Sequence, residues 1–200
     1  MSKLIEHDLF EASDGDTILC EEEKLGLIPS WVTTRGDLNA AEQQNIVEAE
    51  RWLFGRKRAE ILSEKLIRQL HKKMFASVWQ WAGQFRSTEK NIGVAPWRVA
   101  PDLKILLDDT RFWIENGTYP PDEISTRFHH RLVQIHLFPN GNGRHARLFT
   151  DYLATHLGQP RFSWGRNLRQ PIEEIRKQYI TAVREADNAR IQSLLAFVRS

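Results

Sequence analysis

Apolar side chains in this chain recur three and four positions apart, the spacing that lets an α-helix bury one face. Ile46, Ala49, Trp52 and Leu53 form one such stripe. Ile61, Leu62, Leu66, Leu70 and Met74 form a second, and Ile124, Phe128, Leu132 and Ile135 a third. The first stripe is predicted to start at Asn39, with Glu42 three residues on completing a capping box. Further helices are expected over LKILLDDTRFWIEN, over PDEISTRFHHRLVQIH with Pro121 in its first turn, and over RHARLFTDYLATHL up to Gly158. PIEEIRKQYITAVREAD and ARIQSLLAFVR complete the set. Past the first 38 residues, helical spacing breaks at WQWAGQFRSTEKNIGVAPWRVAP, where Gly83, Gly93 and two prolines bound pieces short enough to pair as a small hairpin. With no internal repeat and no alternation of strand and helix, the expected fold class is mainly α.

Residues 1–38 carry neither period and read as an N-terminal arm packing on a helical domain at 39–200. With 41% apolar residues, including ten Phe and seven Trp, the chain has enough to fill a core. Twenty-eight basic against 26 acidic residues leave a net charge of only +2, so nucleic acid is an unlikely partner. The Arg56-Lys57-Arg58 run reads as a solvated helix end. A lone Cys20 excludes an internal disulfide framework and agrees with a reducing compartment. MSKLIEHDLF lacks the apolar centre of a secretion signal, and no run approaches the roughly 18 apolar residues of a membrane span. The expectation is a cytoplasmic protein with no membrane partner.

The chemistry concentrates in IHLFPNGNGRHARLF, residues 135–149. His136 ends one helix, where the dipole favours imidazolium and burial opposes it, and its side chain is suited to take a proton near neutral pH. Gly141, Asn142 and Gly143 permit a turn whose N–H groups converge, and the helix opening near Arg144 adds its unpaired amides. Arg144 and Arg147, three apart, share a face toward a polyphosphate, with Asp151 one turn on as an orienting partner. The G-x-x-x-x-G-K-[ST] spacing of a Walker A loop is absent. A histidine, an amide nest and two arginines point to phosphoryl or nucleotidyl transfer; a Gly-rich turn between two helices with surface arginines is the plainer alternative.

HLFPNGNGRHAR resembles the Fic/Doc family signature, H-x-F-x-[DE]-G-N-G-R-x-x-R, at His136, Phe138, Gly141, Asn142, Gly143, Arg144 and Arg147. VWQWAGQFRSTEKNIGV is similar to the family segment leading into its flap, and the resemblance spans about residues 39–185, most of all to the small bacterial members found on mobile elements. It implies a Fic-type helical bundle with a short β-hairpin flap. It also implies AMP transfer from ATP to a Ser, Thr or Tyr hydroxyl of a target protein. In that pattern His136 is the general base, Phe138 anchors the loop, Gly141, Asn142 and Gly143 hold the α and β phosphates, and Arg144 and Arg147 bind the β and γ phosphates. Thr88, Asn91, Ile92, Gly93 and Val94 form the flap that docks the target. A Doc-like kinase toxin and a catalytically silent nucleotide-binding module are the alternatives. The intact Gly141-Asn142-Gly143-Arg144 run favours AMP transfer over the first, and His136 with both arginines argues against the second.

Two positions depart from the pattern. Asn140 stands where the family has an Asp or Glu that holds Mg²⁺, and an uncharged amide is a poorer ligand for a hard cation. The family's inhibitory [ST]-x-x-x-E-[GN] helix has no complete copy, SKLIEH and TILCEE being the partial ones, so any inhibition is expected from a separate small antitoxin chain or by a route the sequence does not mark. Elsewhere His145 is expected to face solvent or nucleotide, and His71 to be a packing or surface residue. Trp79, Trp81 and Phe85 read as core, and Arg86, Lys90 and Asn91 as flap residues near the target or ribose. His129 and His130 lack the carboxylate spacing of a zinc site.

Overall fold

Capping residues decide where each apolar stripe becomes a helix. The computed structural model describes residues 9–10, 15, 17–55 and 60–200. Residues 1–8, with SKLIEH, and the Arg56-Lys57-Arg58 run lie outside the described residues. Among the described residues the chain forms α1 (Glu21–Lys24), α2 (Arg35–Phe54), α3 (Glu64–Phe75), α4 (Val99–Asn116), α5 (Pro121–Ile135), α6 (Asn142–His156), α7 (Ile172–Asp187) and α8 (Gln192–Arg199). The fold is mainly helical, as the periodicity predicts.

Two helix starts differ from the sequence reading. α2 begins at Arg35, not near Asn39, because the Thr34 hydroxyl accepts from the Asp37 N–H at 3.1 Å and the Asp37 carboxylate accepts from the Thr34 N–H at 3.0 Å. An aspartate thus closes the capping box that Glu42 was expected to close, leaving Glu42 buried in mid-helix. α3 begins after Ser63, whose hydroxyl accepts from the Leu66 N–H, so Ile61 and Leu62 are buried ahead of the helix rather than within it.

α5 packs against α4, α6 and α8, while α3 packs against α2 and α6. Phe128 on α5 stacks on Phe149 of α6 with ring centroids 5.4 Å apart, and both are fully buried with Leu70, Met74 and Leu103. A second apolar cluster joins Phe162 and Trp164 to Leu194 and Val198 of α8. The arm is tied into the main core: Leu19 and Val32 are buried, and the Ile28 N–H reaches the Val78 carbonyl while the Gln80 N–H reaches that of Gly26, both at 2.9 Å. Trp79 is buried and stacks on Trp81. The excursion at 84–95, expected as a hairpin, contains no strand among the described residues, and its limbs are joined through a side chain described below. No helix among the described residues is long and apolar enough to cross a membrane.

Four histidines lie in this interior. Burial holds His71 well below its ordinary 6.5, His129 at about 3, and His136 and His145 at about 4. Below pH 6.5 the unfolded chain takes up protons that the folded one does not, so stability is constant above that pH and falls toward pH 4. The loss is about 1.4 kcal/mol per pH unit for each such group. The melting temperature is therefore expected to be level from pH 8 to 6.5 and to decline steeply before carboxylates titrate near 4.5; a flat profile down to pH 5 would contradict neutral burial of these rings.

Candidate active site

The turn from α5 to α6 is built around one amide side chain. Asn142, the first residue of α6, is buried; its Oδ1 accepts from the Phe138 N–H at 2.9 Å and its Nδ2 donates to the Phe138 carbonyl at 2.7 Å. The sequence reading placed Asn142 in a phosphate cradle formed by backbone N–H groups; its side chain closes the loop. Phe138 is fully buried and stacks on His71 at 3.7 Å, as its anchoring role requires. The chain reverses at His136, whose φ of 60° and ψ of 68° lie in the left-handed region that a histidine enters only when held there.

The two glycines of the turn differ in what they leave open. Gly141 has φ 78°, and a Cβ there would lie 2.6 Å from the Phe75 ring, so the fold itself demands glycine. Gly143 has an ordinary helical conformation, and a Cβ there would meet nothing within 4 Å. The protein does not need glycine at 143. Its missing side chain keeps open the space over the first-turn amides of α6, which have no partner within the helix and lie at the positive end of its dipole.

Two histidines support this turn from beneath. The His71 Nδ1 accepts from the Gly83 N–H, which leaves its Nε2 to donate to the Asn140 carbonyl, each at 3.0 Å. His71 therefore positions the loop, a role beyond packing that is visible only in the fold. His145, expected at solvent or nucleotide, is instead buried, with Nε2 3.0 Å from the Ile67 carbonyl.

The arginines diverge. Arg144 pairs with Glu42 at 2.6 Å and lies over the Phe75 ring, while the other Glu42 oxygen accepts from the Trp79 indole at 2.8 Å. Arg147 turns the other way, its guanidinium over the Tyr179 ring, and burial lowers its pKa from the ordinary arginine value. Asp151 does not orient it: that carboxylate accepts from Trp164 and the Phe162 N–H and pairs with Arg161. The two side chains reach α2 and α7 because long arginines leave a shared helix face in opposite directions.

Asn140 lines a polar cavity with Thr17, Asn39, Glu42 and Arg144. Its Oδ1 accepts from the Gly141 N–H, its carbonyl serves His71, and Glu42 is held by Arg144 and Trp79. Among the described residues, an uncharged, already engaged oxygen with no free carboxylate beside it does not fit a protein-held Mg²⁺.

Opposite the turn, Arg86 joins the limbs of the excursion. Its guanidinium donates to the carbonyls of His136 at 2.6 Å, Ile135 at 3.3 Å, Thr88 at 3.0 Å, and Val94, and its own N–H reaches the Leu137 carbonyl. It was expected to meet a target or ribose; buried to 3% exposure, it is instead the clasp that places the excursion beside His136. Gly93 has φ 104°, and a Cβ there would come within 2.6 Å of the His136 Cβ.

The arm lies along this excursion. The Thr88 hydroxyl donates to Glu23 at 2.9 Å, Lys90 pairs with Glu23 and donates to the Ile18 carbonyl, and the Ile18 N–H reaches Asn91. Ile92 is partly exposed, and Val94 packs at the edge of the core. Thr17 brings its hydroxyl to 2.7 Å from the His136 Nε2. His136 is 3% exposed; burial first, then the charges of Arg86 and Lys90, hold its pKa at about 4, so burial overrides the helix dipole. The sequence patterns marked Glu42 only as a capping residue and Thr17 only within TILCEE, because the partners that matter here, Trp79 and Arg144 for one and His136 for the other, are remote in sequence; His71 left a trace on the buried stripe of Ile67, Leu70 and Met74.

Residues 61–154 match the model of the Fic/DOC family. A protein adenylyltransferase Fic of Aedes aegypti is 28% identical over 105 residues, half of this chain and 21% of that protein. Its namesake in Drosophila grimshawi is 26% identical over 141 residues, 67% of this chain and 27% of that protein. The matched segment is thus about a fifth to a quarter of these relatives' length. The BepC protein of Bartonella tribocorum, solved with bound AMPPNP, superposes with a TM-score of 0.68 over 90% of this chain and 97% of its own at 14% identity. The helix-turn-helix built on His136, with its side-chain clamp and glycine turn, lies within residues 61–154, the span that matches the Fic/DOC family model.

Proposed function

We propose that the protein is an adenylyltransferase that moves AMP from ATP to a Ser, Thr or Tyr hydroxyl of a target protein. The observation that carries this reading is a neutral, buried His136 at the lip of a turn whose next helix opens on unobstructed amides. An imidazole with a pKa near 4 is deprotonated at neutral pH and ready to accept a proton. The acceptor oxygen attacks the α-phosphorus as the bond to the bridging oxygen breaks. His136 Nε2 takes the hydroxyl proton, and pyrophosphate leaves. The amides of residues 142–144 and the Arg144 guanidinium receive the phosphate charge, and Gly143 admits it close to the backbone. Arg147, half-buried with no carboxylate in ion-pair reach among the described residues, is a second positive charge for the outer phosphates. The names of the two insect relatives support the reaction class, and the nucleotide analogue bound by the Bartonella protein supports a nucleotide as donor. Residues 88–94 would guide the target's backbone.

Incubation with α-labelled and, separately, γ-labelled ATP in a bacterial lysate tests the reaction. Label from the α position alone is expected. Label from γ alone would assign a kinase, and binding without transfer a silent module. His136→Ala is expected to reduce transfer at least about 100-fold.

Arg144 is already engaged by a carboxylate, so a triphosphate competes with Glu42 for the same guanidinium. The restraint expected from a separate antitoxin chain thus has a counterpart within the chain. Glu42→Gln should tighten binding of a non-hydrolysable ATP analogue about tenfold by calorimetry, a charge-assisted bond being worth about 1.5–3 kcal/mol; unchanged affinity would show that Arg144 does not bind the donor. Asn140→Asp restores a charge at the turn and should lower the Mg²⁺ concentration giving half-maximal rate. An identical Mg²⁺ titration would remove position 140 from the metal's surroundings.

A further inference from the structure

Arg147 is held by the face of a ring rather than by a counter-charge. Its guanidinium lies over the Tyr179 ring of α7, 5.5 Å from the centroid, within the range at which an aromatic face attracts a cation. Among the described residues no carboxylate is in ion-pair reach of it; Asp151, one turn on, serves Arg161, Trp164 and the Phe162 N–H. Burial lowers its pKa, and the charges of Arg144 and Arg176 lower it further. A desolvated cation beside other cations gains more from an arriving anion than one already paired.

The ring is itself anchored. The Tyr179 hydroxyl lies 2.9 Å from Nε2 of His129, which is fully buried on α5, and Nδ1 of His129 lies 3.3 Å from the Thr150 hydroxyl of α6. Burial raises the pKa of the phenol and holds that of the imidazole at about 3, so at neutral pH the phenol donates and the uncharged Nε2 accepts. Phe197 of α8 flanks the Tyr179 ring at 5.8 Å between centroids, and Trp164 flanks the imidazole at 4.6 Å. Four helices thus converge to fix the platform under one arginine, and no step of the proposed transfer uses His129 or Tyr179.

A ring and a carboxylate hold an arginine with different chemical consequences. A carboxylate occupies guanidinium N–H groups and must be displaced by a phosphate, as Glu42 must be from Arg144. An aromatic face attracts the cation through its quadrupole and leaves the in-plane N–H donors to turn toward an anion. We infer that Tyr179, braced by His129, is a positioning residue that presents the Arg147 guanidinium to the outer phosphates of the donor. This role rests on the adenylyltransferase reading above and deepens it. Tyr179 lies beyond residues 61–154, so a helix outside the family-matched span sets how tightly a triphosphate is held relative to a monophosphate.

The test is calorimetric binding of a non-hydrolysable ATP analogue and of AMP to the full chain and to its Tyr179→Leu, Tyr179→Phe and Arg147→Gln variants, with α-labelled transfer by the parent followed in parallel. Tyr179→Leu, which removes the face, is expected to weaken the analogue about fivefold and to leave AMP binding unchanged. Tyr179→Phe keeps the face and should lose no more than about twofold. Tyr179→Met gives the same comparison where the leucine chain does not fold. In the Arg147→Gln background Tyr179→Leu should have no further effect, since the ring acts only through that guanidinium. Unchanged affinity for the analogue, equal losses for the analogue and AMP, or additive losses in the double variant would overturn the role, as would a Tyr179→Phe loss matching that of Tyr179→Leu. Any of these with α-label still transferred by the parent leaves the adenylyltransferase reading standing. A parent that transfers no α-label sinks that reading, while the binding comparisons still decide whether Tyr179 positions Arg147 for a triphosphate.

Discussion

The Asn142 amide is the interaction on which the site depends. By satisfying the N–H and the carbonyl of Phe138 together, it folds five residues into a turn that no helix or strand ladder could hold. Phe138 is thereby driven into the core against His71, and the two ends of the turn are fixed in opposite roles. His136 is left at the end of α5 in a left-handed conformation, and at Gly143, the second residue of α6, the space a side chain would fill stays open. Were this side chain unable to both donate and accept, either the Phe138 N–H or its carbonyl would be buried without a partner, a cost of about 1–3 kcal/mol before any loss of geometry.

Arg86 plays the matching part on the opposite wall. One guanidinium supplies donors to four carbonyls drawn from the excursion and from the end of α5. A planar fork of five N–H groups suits this better than a lysine, whose three donors leave from a single point. The arm then adds a third wall through Glu23, whose carboxylate gathers Thr88, Lys90 and the Cys20 N–H. Base, turn and arm thus come from separate stretches of chain that polar side chains, together with backbone bonds such as that from the Arg86 N–H to the Leu137 carbonyl, bring to one place.

The helices were legible in the sequence because burial of one face imposes a period, and that period survives in Leu66, Leu70 and Met74 or in Phe128 and Leu132 however the helices pack. Helix starts were less legible: Thr34 and Asp37 cap α2 with a carboxylate one carbon shorter than the reading looked for. The chemical turn was visible as a pattern, but the use of each residue was not. Asn142 turns inward, Arg147 points away from Arg144, and Asp151 serves Trp164, all outcomes of packing that spacing along one helix does not encode. His145 is buried because the residues around its position on α6 face α3, a fact of helix pairing rather than of local sequence. Thr17, Glu23, Arg86 and Glu42 act through partners tens of residues away, where a single sequence carries no signal of contact.

Glu42 divides one carboxylate between the indole of Trp79, in the core, and the guanidinium of Arg144, at the mouth of the cavity. Any anion that draws Arg144 outward changes the charge balance on that carboxylate and therefore the electric field along the Trp79 N–H. The indole is stacked on Trp81 and shielded from water, so its emission responds to such a field rather than to solvent. A single carboxylate thus couples a buried indole to the guanidinium at the mouth of the cavity.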